Sequence, residues 1–441
     1  MFREDGVYKR AVSPLGGADY DLLKSSGLYS TLAERGALVR HQEEPAPDGL
    51  YKILVPEQIR HVSYPYEWSF SQWKDAALLT LDIQEAALRH GMSLKDASAF
   101  NVQFVGPRAV FIDTLSFEQN RPGPWNAYGQ FCGHFLAPLA LMAHVSVGLA
   151  QHFRACLDGW PLELASKLLP SSTWLRMGLL LHVHLHARSQ AKYQGTSARN
   201  VASRQRGPSP DRKQVLVESL RSAVESLHLP KVKTEWIDYY EDATHYSTEA
   251  QERKREVVER VAEDLAPALV YDLGGNVGTF SRLFTSRGID CVCYDIDPLC
   301  VHENHLRAKR EGDRHMLPLL LDLTNPSPSI GFGLEERAGV IGRSQPDLVM
   351  ALALIHHLRF SGNIPLVQVA RFLARLGPAL LIEWVPKDDP MAQRLTGNRP
   401  DIFQDYSWEG FQAAFAGEFT LESTVDIPGT GRRLCLLRVR S

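Results

Sequence analysis

The chain has 441 residues, of which 44% are hydrophobic and 22% charged, and its net charge is −3 at neutral pH. This length exceeds one ordinary domain, and the composition is that of a globular protein rather than a disordered or fibrous one. The nearly neutral charge gives no overall attraction to nucleic acid or to an anionic membrane, so neither is an expected partner.

The six cysteines are scattered along the chain. Cys291 and Cys293 have a single residue between them, whereas a zinc pair usually has about two to four. We therefore expect reduced core cysteines, no metal and a cytoplasmic location. The start of the chain does not resemble a signal peptide. The apolar run 135–150 is interrupted by Pro138 and His144, which favours a buried helix over a membrane span.

Residues 1–191 are predicted to form an α+β domain. Its expected elements, in chain order, are a strand at Val7–Val12, helices at Asp19–Arg35 and Ser71–His90, strands at Val102–Val105 and Ala109–Ile112, and further helices within Phe131–Gln190. Within it, Asp96 precedes Asn101 by five positions, and Asp113 follows the second strand of the pair. This pattern resembles the catalytic segment of protein kinases and aminoglycoside phosphotransferases, in which the equivalent residues supply a base and metal ligands.

This first domain departs from the kinase pattern in several places. It has no glycine-rich phosphate loop, the His-Arg-Asp triplet is replaced by Leu94-Lys95-Asp96, and the Asp-Phe-Gly triplet by Asp113-Thr-Leu. Three interpretations stay open. They are a degenerate kinase-like scaffold kept for another purpose, a working phosphotransferase, and an unrelated domain in which Asp96 caps a helix and Asp113 ends a strand.

Residues 192–235 are predicted to link two domains. The segment Lys192–Lys213 is polar, basic and rich in Ser, Gly and Pro, and such a composition favours a solvated linker. An amphipathic helix is expected over Gln214–Leu227. Aromatic residues at 236–240 and 245–246 precede a helix at Glu249–Ala266, and we expect them either to cover a ligand or to pack on the sheet. The second domain is placed at 236–441.

The most informative motif follows the strand that ends at Val270-Tyr-Asp272. Its residues are Asp272, Gly274, Gly275, Asn276 and Gly278, and a helix over Thr279–Ser286 comes next. A glycine loop between a strand and a helix lets a ligand approach the backbone closely. The spacing fits neither the dinucleotide fingerprint nor the phosphate-binding loop of nucleoside triphosphatases.

The following strands repeat this arrangement of an apolar run with a polar end. The strand Ile289–Tyr294 leads to Asp295, Leu317–Leu321 leads to Asp322 and Leu323, and Asp347–Ala353 contains Ala351 and leads to His356 and His357. Further strands are predicted at Ala379–Glu383, Leu421–Ile427 and Arg433–Val439, the last two as a hairpin. An acidic residue roughly 20 positions after the glycine loop is placed to bind a ribose diol.

This order of motifs resembles the class I methyltransferases that use S-adenosyl-L-methionine (SAM), over about residues 236–441. The resemblance implies a Rossmann-like α/β fold with a seven-stranded sheet. It implies SAM contacts from the glycine loop, from Asp295 to the ribose, from Asp322 and Leu323 to the adenine, and from the region of Ala351 to the methionine end. The departure at Asn276 is mild, because Asn tolerates a left-handed backbone.

Candidate catalytic residues lie at the carboxyl ends of the fourth and fifth strands. Methyl transfer requires orientation, desolvation and a base when the nucleophile carries a proton. His356 or His357 is a candidate base because the unperturbed pKa of histidine is about 6.5. Glu383 is a second candidate, and Tyr406 and Trp408 are candidates for shaping the acceptor pocket.

The acceptor is less well defined by the sequence. The region Ala351-Leu-Ala-Leu lacks the signature of nitrogen methylation. The whole chain resembles a bacterial family of two-part, nodulation-type methyltransferases, which implies O-methylation of a glycan or another small hydroxylated acceptor. The alternatives are a protein or tRNA methyltransferase that docks its substrate on the first domain, and a non-catalytic regulator that binds SAM or retains a kinase-like fold.

Overall fold

The computed structural model describes residues 1–193, 210–230, 247–397 and 402–440. The chain divides into two compact units, Met1–Val232 and Lys233–Ser441. This division falls within the predicted linker 192–235. The aromatic residues at 236–246 and most of the basic segment 192–213 lie outside the described residues.

The first unit begins with a four-stranded antiparallel sheet in the order β1-β2-β4-β3. Its strands are β1 (Phe2–Glu4), β2 (Val7–Val12), β3 (His41–Glu44) and β4 (Lys52–Pro56), with helices α1 (Gly17–Ser25) and α2 (Leu28–Glu34) inserted after β2. The sequence predicts one continuous helix over Asp19–Arg35. That prediction was wrong, because Gly27 adopts a left-handed conformation with φ of 81° and separates two helices.

A long helix, α3 (Phe70–Arg89), follows this sheet, and two small antiparallel pairs come next. One pair joins β5 (Met92–Leu94) to β8 (Phe117–Gln119), and the other joins β6 (Val102–Val105) to β7 (Arg108–Phe111). The remaining helices are α4 (Tyr128–Phe131), α5 (Ala137–His144), α6 (Leu162–Leu168), α7 (Met177–Leu179), α8 (His186–Tyr193) and α9 (Pro210–Glu225).

Two of the predicted helices, one in the apolar run 135–150 and one over 214–227, lie in the first unit. The apolar run is buried and helical only in its first part, because α5 ends at His144, Val145 is exposed and a separate 3-10 segment, Val147–Ala155, follows. Helix α9 packs on α3, where the Lys74 ammonium donates to the carbonyl oxygens of Glu225 and Leu227 at 2.8 Å. Within the described ranges, every helix is too short or too polar to span a membrane.

The second unit contains a seven-stranded sheet in the order β11-β10-β9-β12-β13-β15-β14. Six of its strands run in the same direction, and β15 runs antiparallel to both of its neighbours. The strands are β9 (Leu269–Leu273), β10 (Asp290–Asp295), β11 (Met316–Leu320), β12 (Leu348–Ala351), β13 (Ala379–Trp384), β14 (Phe419–Asp426) and β15 (Arg433–Val439). Because the parallel strands are covered on both faces, they are nearly continuous apolar runs.

Helices connect these strands. They are α10 (Thr248–Leu265), α11 (Ser281–Thr285), α12 (Pro298–Glu311), α13 (Leu366–Ala374), α14 (Pro390–Thr396) and α15 (Trp408–Phe415). One core cluster joins α10 to the sheet through Val258, Val270 and Leu381, all of which are buried. The strand order reverses between β9 and β12, and ligands bind at such a switch point, outside the carboxyl ends of the strands.

Candidate functional site

The glycine loop after β9 adopts a backbone that needs its small residues. Gly274 and Gly278 have φ of 72° and 75°, and Asn276 has φ of 53°. Asn is among the few residues with a Cβ atom that occupy this left-handed region readily. A Cβ atom on Gly275 would lie 2.5 Å from Cys293 Sγ and 2.7 Å from Asp272 Oδ2. Gly275 is therefore required by close packing, whereas Gly274 and Gly278 are required by their backbone conformation.

Asp272 supports this loop from inside the unit. Its side chain is buried and accepts a hydrogen bond from the Ser281 hydroxyl at 2.5 Å. Burial raises the pKa of Asp272 to about 7. The side chain thus connects the end of β9 to the beginning of α11 and fixes the loop that lies between them.

Asp295, at the end of β10, holds the same loop from the other side. One of its carboxylate oxygens accepts from the backbone amide of Asn276 at 2.8 Å, and the other accepts from the backbone amide of Asp297 at 2.9 Å. Burial raises the pKa of Asp295 to about 6. Each carboxylate oxygen has a second lone pair that remains able to accept from a ligand hydroxyl.

A cavity of about 400 Å³ opens beside these residues. Five of the predicted cofactor residues line it, namely Gly274, Asn276, Asp295, Asp322 and Leu323. The other four, Asp272, Gly275, Gly278 and Ala351, contribute to the frame of the cavity rather than to its lining. Asp322 is fixed by the amide and hydroxyl of Thr324, which donate to it at 2.8 and 2.7 Å.

The sequence did not identify several lining residues, most of them apolar. These are Ile296, Leu321, Thr324, Leu352, Ala353, Leu354, Leu358, Ser361 and Gly362. Many of them lie within two positions of a strand end or of a residue that the motif identifies. Extending each predicted strand end by two residues would have found Ile296 and Leu354, whereas Leu352 and Ala353 lie inside the predicted strand Asp347–Ala353.

The two predicted histidines occupy different environments. His357 lines the cavity, whereas His356 is only 1% exposed. Their ring centroids lie 4.3 Å apart, and neither ring nitrogen of His356 has a hydrogen-bond partner within the described ranges. Burial lowers the pKa of both rings, and the nearby Arg432 contributes in the same direction. Both imidazoles are therefore neutral at physiological pH and able to accept a proton.

Glu383, the third predicted catalytic residue, is fully buried within a network of charges. Its Oε2 atom lies 2.6 Å from Lys254 Nζ and accepts from the Ala353 amide at 3.0 Å. Its Oε1 atom lies 3.2 Å from the Arg432 guanidinium. A carboxylate that already binds two cations and an amide is poorly placed to accept a proton from a substrate.

Tyr406 and Trp408, the candidates for the acceptor pocket, belong to an aromatic cluster around Trp384. The Tyr406 ring stacks on Trp384 at 4.5 Å, and its hydroxyl donates to the Val385 carbonyl at 2.7 Å. The Trp408 ring is half-buried and lies 6.1 Å from the Trp384 ring. This cluster packs at the end of β13, and neither candidate lines the cavity.

One curated relative covers nearly the whole chain. The nodulation protein NoeA of Rhizobium meliloti (strain 1021) is 34% identical over 413 residues, which span 91% of this chain and 86% of the relative. The chain belongs to the NoeA family. No protein-family model matches it.

Two solved structures with a likeness to this member of the NoeA family each align with less than half of it. The N-methyltransferase NodS from Bradyrhizobium japonicum WM9 is 13% identical, with a TM-score of 0.33 over 44% of this chain and 99% of its own. The bifunctional kinase-methyltransferase WbdD is 18% identical, with a TM-score of 0.32 over 46% of this chain and 41% of its own.

The second unit is a class I methyltransferase domain, and its cofactor is SAM. Three features carry this assignment. They are the strand order with one antiparallel strand, the glycine loop, and the acidic residues that follow β10 and β11. The residues present fit the cofactor. Asp295 offers acceptors to a ribose, and apolar side chains such as Leu321 and Leu358 offer a surface to an adenine ring. Within the described ranges, no group of three or more His, Cys, Asp or Glu side chains could hold a metal ion.

Proposed function

We propose that this protein methylates a hydroxyl group of a glycan or of another small hydroxylated acceptor. The observation that carries the proposal is the position of His357 in the lining of the cofactor cavity, next to the turn at Ala353 and Leu354. Burial lowers the pKa of His357, so that its imidazole is neutral and ready to act as a base. A hydroxyl nucleophile requires such a base, because its proton must leave as the methyl group arrives.

The proposed roles of the residues follow from their places around the cavity. SAM, when bound, supplies a methyl group on a positively charged sulfur. His357 would hold the acceptor hydroxyl and accept its proton when the oxygen receives the methyl group. The apolar side chains of Leu352 and Leu354 exclude water from this end of the cavity. Asp295 orients the cofactor through its ribose.

The relation to NoeA supports the same class of acceptor. That relative is named a nodulation protein, and we infer a glycan or a comparable hydroxylated small molecule as the acceptor for this chain. The cavity is lined by apolar and acidic side chains, which makes it a poor site for the phosphate backbone of a nucleic acid.

The acceptor can be identified directly. Extract from a strain that lacks this gene is incubated with the purified protein and with SAM labelled in its methyl group. We expect label in an ether-linked methyl group of a glycan or small molecule, and none when the His357→Ala variant replaces the wild type. Label recovered in protein or in tRNA would contradict the proposal and favour an acceptor that docks on the first unit.

We further propose that the first unit is a kinase-like scaffold that does not transfer phosphate. The hydrogen bond from the Ile112 amide to the Asn101 carbonyl, at 2.7 Å, supports a close arrangement of Asn101 and Asp113. The Arg10 guanidinium lies 2.7 Å from the Asp113 carboxylate. A carboxylate neutralised in this way is a poor ligand for Mg²⁺, which phosphoryl transfer requires.

A further inference from the structure

A buried network of four charged side chains is connected to the wall of the cofactor cavity. Its members are Lys254 on α10, Glu383 at the end of β13, Asp389 at the beginning of α14 and Arg432 immediately before β15. Their side chains are between 0% and 5% exposed. Four separate segments of the second unit therefore converge on one set of ion pairs.

The contacts of the network are specific. Arg432 forms a two-pronged pair with Asp389, at 2.7 and 2.9 Å, and also reaches Glu383 at 3.2 Å. Lys254 lies 2.6 Å from the second oxygen of Glu383. Isolated buried charges are costly, and a network without full pairing would destabilise the unit. Two cations and two carboxylates balance each other here, so removal of one member would leave a buried charge without its partner.

A hydrogen bond joins the network to the cavity wall. The Ala353 amide donates to Glu383 Oε2 at 3.0 Å. Ala353 has φ of 49°, a left-handed conformation that a residue with a Cβ atom adopts only when its surroundings impose it. Ala353 and the next residue, Leu354, both line the cavity.

The same turn is fitted to the glycine loop. A Cβ atom placed on Gly274 would lie 3.2 Å from the Leu354 Cδ1 atom. The Leu354 side chain, which follows the neighbouring strand β12, therefore packs against the glycine loop. A change in the turn at Ala353 would alter the width of the cavity on the glycine-loop side.

We infer that Glu383 is a positioning residue, whose charge network holds Ala353 in its left-handed turn and thereby sets the shape of the cofactor cavity. Lys254 and Arg432 fix the carboxylate, and the carboxylate fixes the turn. This role differs from that of a catalytic base. It concerns the binding of SAM, so it does not depend on which acceptor is methylated.

Calorimetric titration of the full chain with S-adenosylhomocysteine tests the inference. Glu383→Gln keeps the size of the side chain but removes its charge and one acceptor oxygen, so that Lys254 and Arg432 repel each other. We expect binding to weaken by about tenfold or more, because the turn is no longer held in a disfavoured conformation. Asp347→Asn serves as a control, since Asp347 accepts from the Ala268 and Leu269 amides and does not line the cavity. That control should bind as the wild type does.

A second substitution distinguishes positioning from simple stabilisation. Glycine adopts φ of 49° readily, so the affinity of Ala353→Gly is measured as the reference for a turn that needs no anchor. In the Ala353→Gly background, Glu383→Gln should cost only about twofold to threefold, because the turn no longer needs its anchor. Equal losses in both backgrounds, or a lower melting temperature with unchanged affinity, would overturn the inference.

A milder variant keeps the test decisive if Glu383→Gln does not fold. Arg432→Lys keeps the positive charge but cannot reach Glu383 and Asp389 together in the same geometry. We expect the same weakening, smaller in size, and the same rescue by Ala353→Gly. Unchanged affinity in a folded Arg432→Lys variant would contradict the inference. A failure to find any methylated acceptor would leave these binding results unaffected.

Discussion

Asp295 has two structural contacts in addition to its proposed contact with the cofactor ribose. Its carboxylate accepts backbone hydrogen bonds from Asn276 and Asp297, which hold the glycine loop against the end of β10. Burial raises its pKa to about 6, so the side chain is ionised at neutral pH but protonated in mild acid. The raised pKa makes the site sensitive to pH just below neutrality.

We expect the affinity for SAM to fall as the pH falls through about 6. Above that value the carboxylate is ionised and accepts from the ribose, and below it one oxygen carries a proton and accepts poorly. The loss should approach about tenfold per pH unit well below the pKa. Calorimetric titration with SAM between about pH 5 and pH 8 measures this loss, because that range spans the titration of the carboxyl.

Asp295→Asn is the matched control for this prediction. It should bind SAM more weakly at neutral pH, by roughly 1.5–3 kcal/mol, the usual loss for a hydrogen bond to a charged group. Its remaining affinity should not change with pH in this range. If Asp295→Asn kept the full pH dependence, another group would have to cause it. The nearest candidate is Asp272, which has a pKa of about 7.

The histidine pair gives a second prediction at the scale of single residues. His357→Ala should lower turnover on the true acceptor by about 10²–10⁴, the contribution of a general base, while the affinity for SAM stays close to that of the wild type. His356→Ala should act mainly on stability, because that ring is buried and does not line the cavity. Steady-state kinetics and thermal unfolding of both variants separate the two roles. Wild-type turnover in His357→Ala would remove this histidine from the mechanism.

At the scale of elements, the glycine loop is constrained by what lies behind it. Gly275→Ala would place a methyl group 2.5 Å from Cys293 Sγ, and both the sulfur and the loop are held by the sheet. We expect this variant to fold with a displaced loop and to lose SAM binding by about a hundredfold or more, as small displacements at such sites commonly do. Calorimetric titration with SAM measures the loss.

Gly417→Ala is the control for this change. Gly417 does not have a positive φ, and a Cβ atom there would meet nothing within 4 Å. It should bind SAM as the wild type does, with stability unchanged or slightly improved, since alanine restricts the unfolded chain. Normal binding by Gly275→Ala would show that the loop yields more easily than its packing indicates.

The sequence predicts the elements of the second unit well because its strands are continuous apolar runs with acidic or histidine ends. It predicts the left-handed backbone at Asn276, since that tolerance is a property of the residue. It does not predict the left-handed backbone at Ala353, because a long-range contact imposes it there. Lys254 and Glu383 are separated by 129 positions, and no local pattern connects them.

The difference between what a residue type determines and what long-range contacts determine also applies to the two histidines and to the first unit. The sequence identifies both His356 and His357, but the turn before them decides which one lines the cavity. In the first unit, the break at Gly27 has no periodic signal, because the apolar pattern continues on both sides of it. The ion pair between Arg10 and Asp113 joins residues more than a hundred positions apart, so no local pattern connects them.

At the scale of the whole molecule, the two units should respond differently to ligands. We expect S-adenosylhomocysteine to raise the melting temperature of the full chain, since a ligand at about 100 times its Kd stabilises the folded state by about 2.7 kcal/mol. Mg-ATP should have little effect, because Arg10 occupies the carboxylate of Asp113 and the chain has no glycine-rich phosphate loop. Thermal unfolding of one preparation with each ligand measures both.

The result for S-adenosylhomocysteine is the internal control for Mg-ATP. Strong stabilisation by Mg-ATP that disappears in Asp113→Ala would contradict the proposal for the first unit and make the chain bifunctional. Phosphate on the methylated product would lead to the same conclusion.

The position of β15 in the sheet has a consequence for synthesis on the ribosome. This strand lies between β13 and β14, so β14 has no partner in the sheet until residues 433–439 have left the exit tunnel. During that interval the edge of β13 is open, and an open edge invites pairing with other chains. Arg432 emerges just before this strand and brings the last cation to the buried ion pairs. The cofactor cavity should therefore mature late in translation, and a nascent chain arrested before residue 433 should not retain S-adenosylhomocysteine.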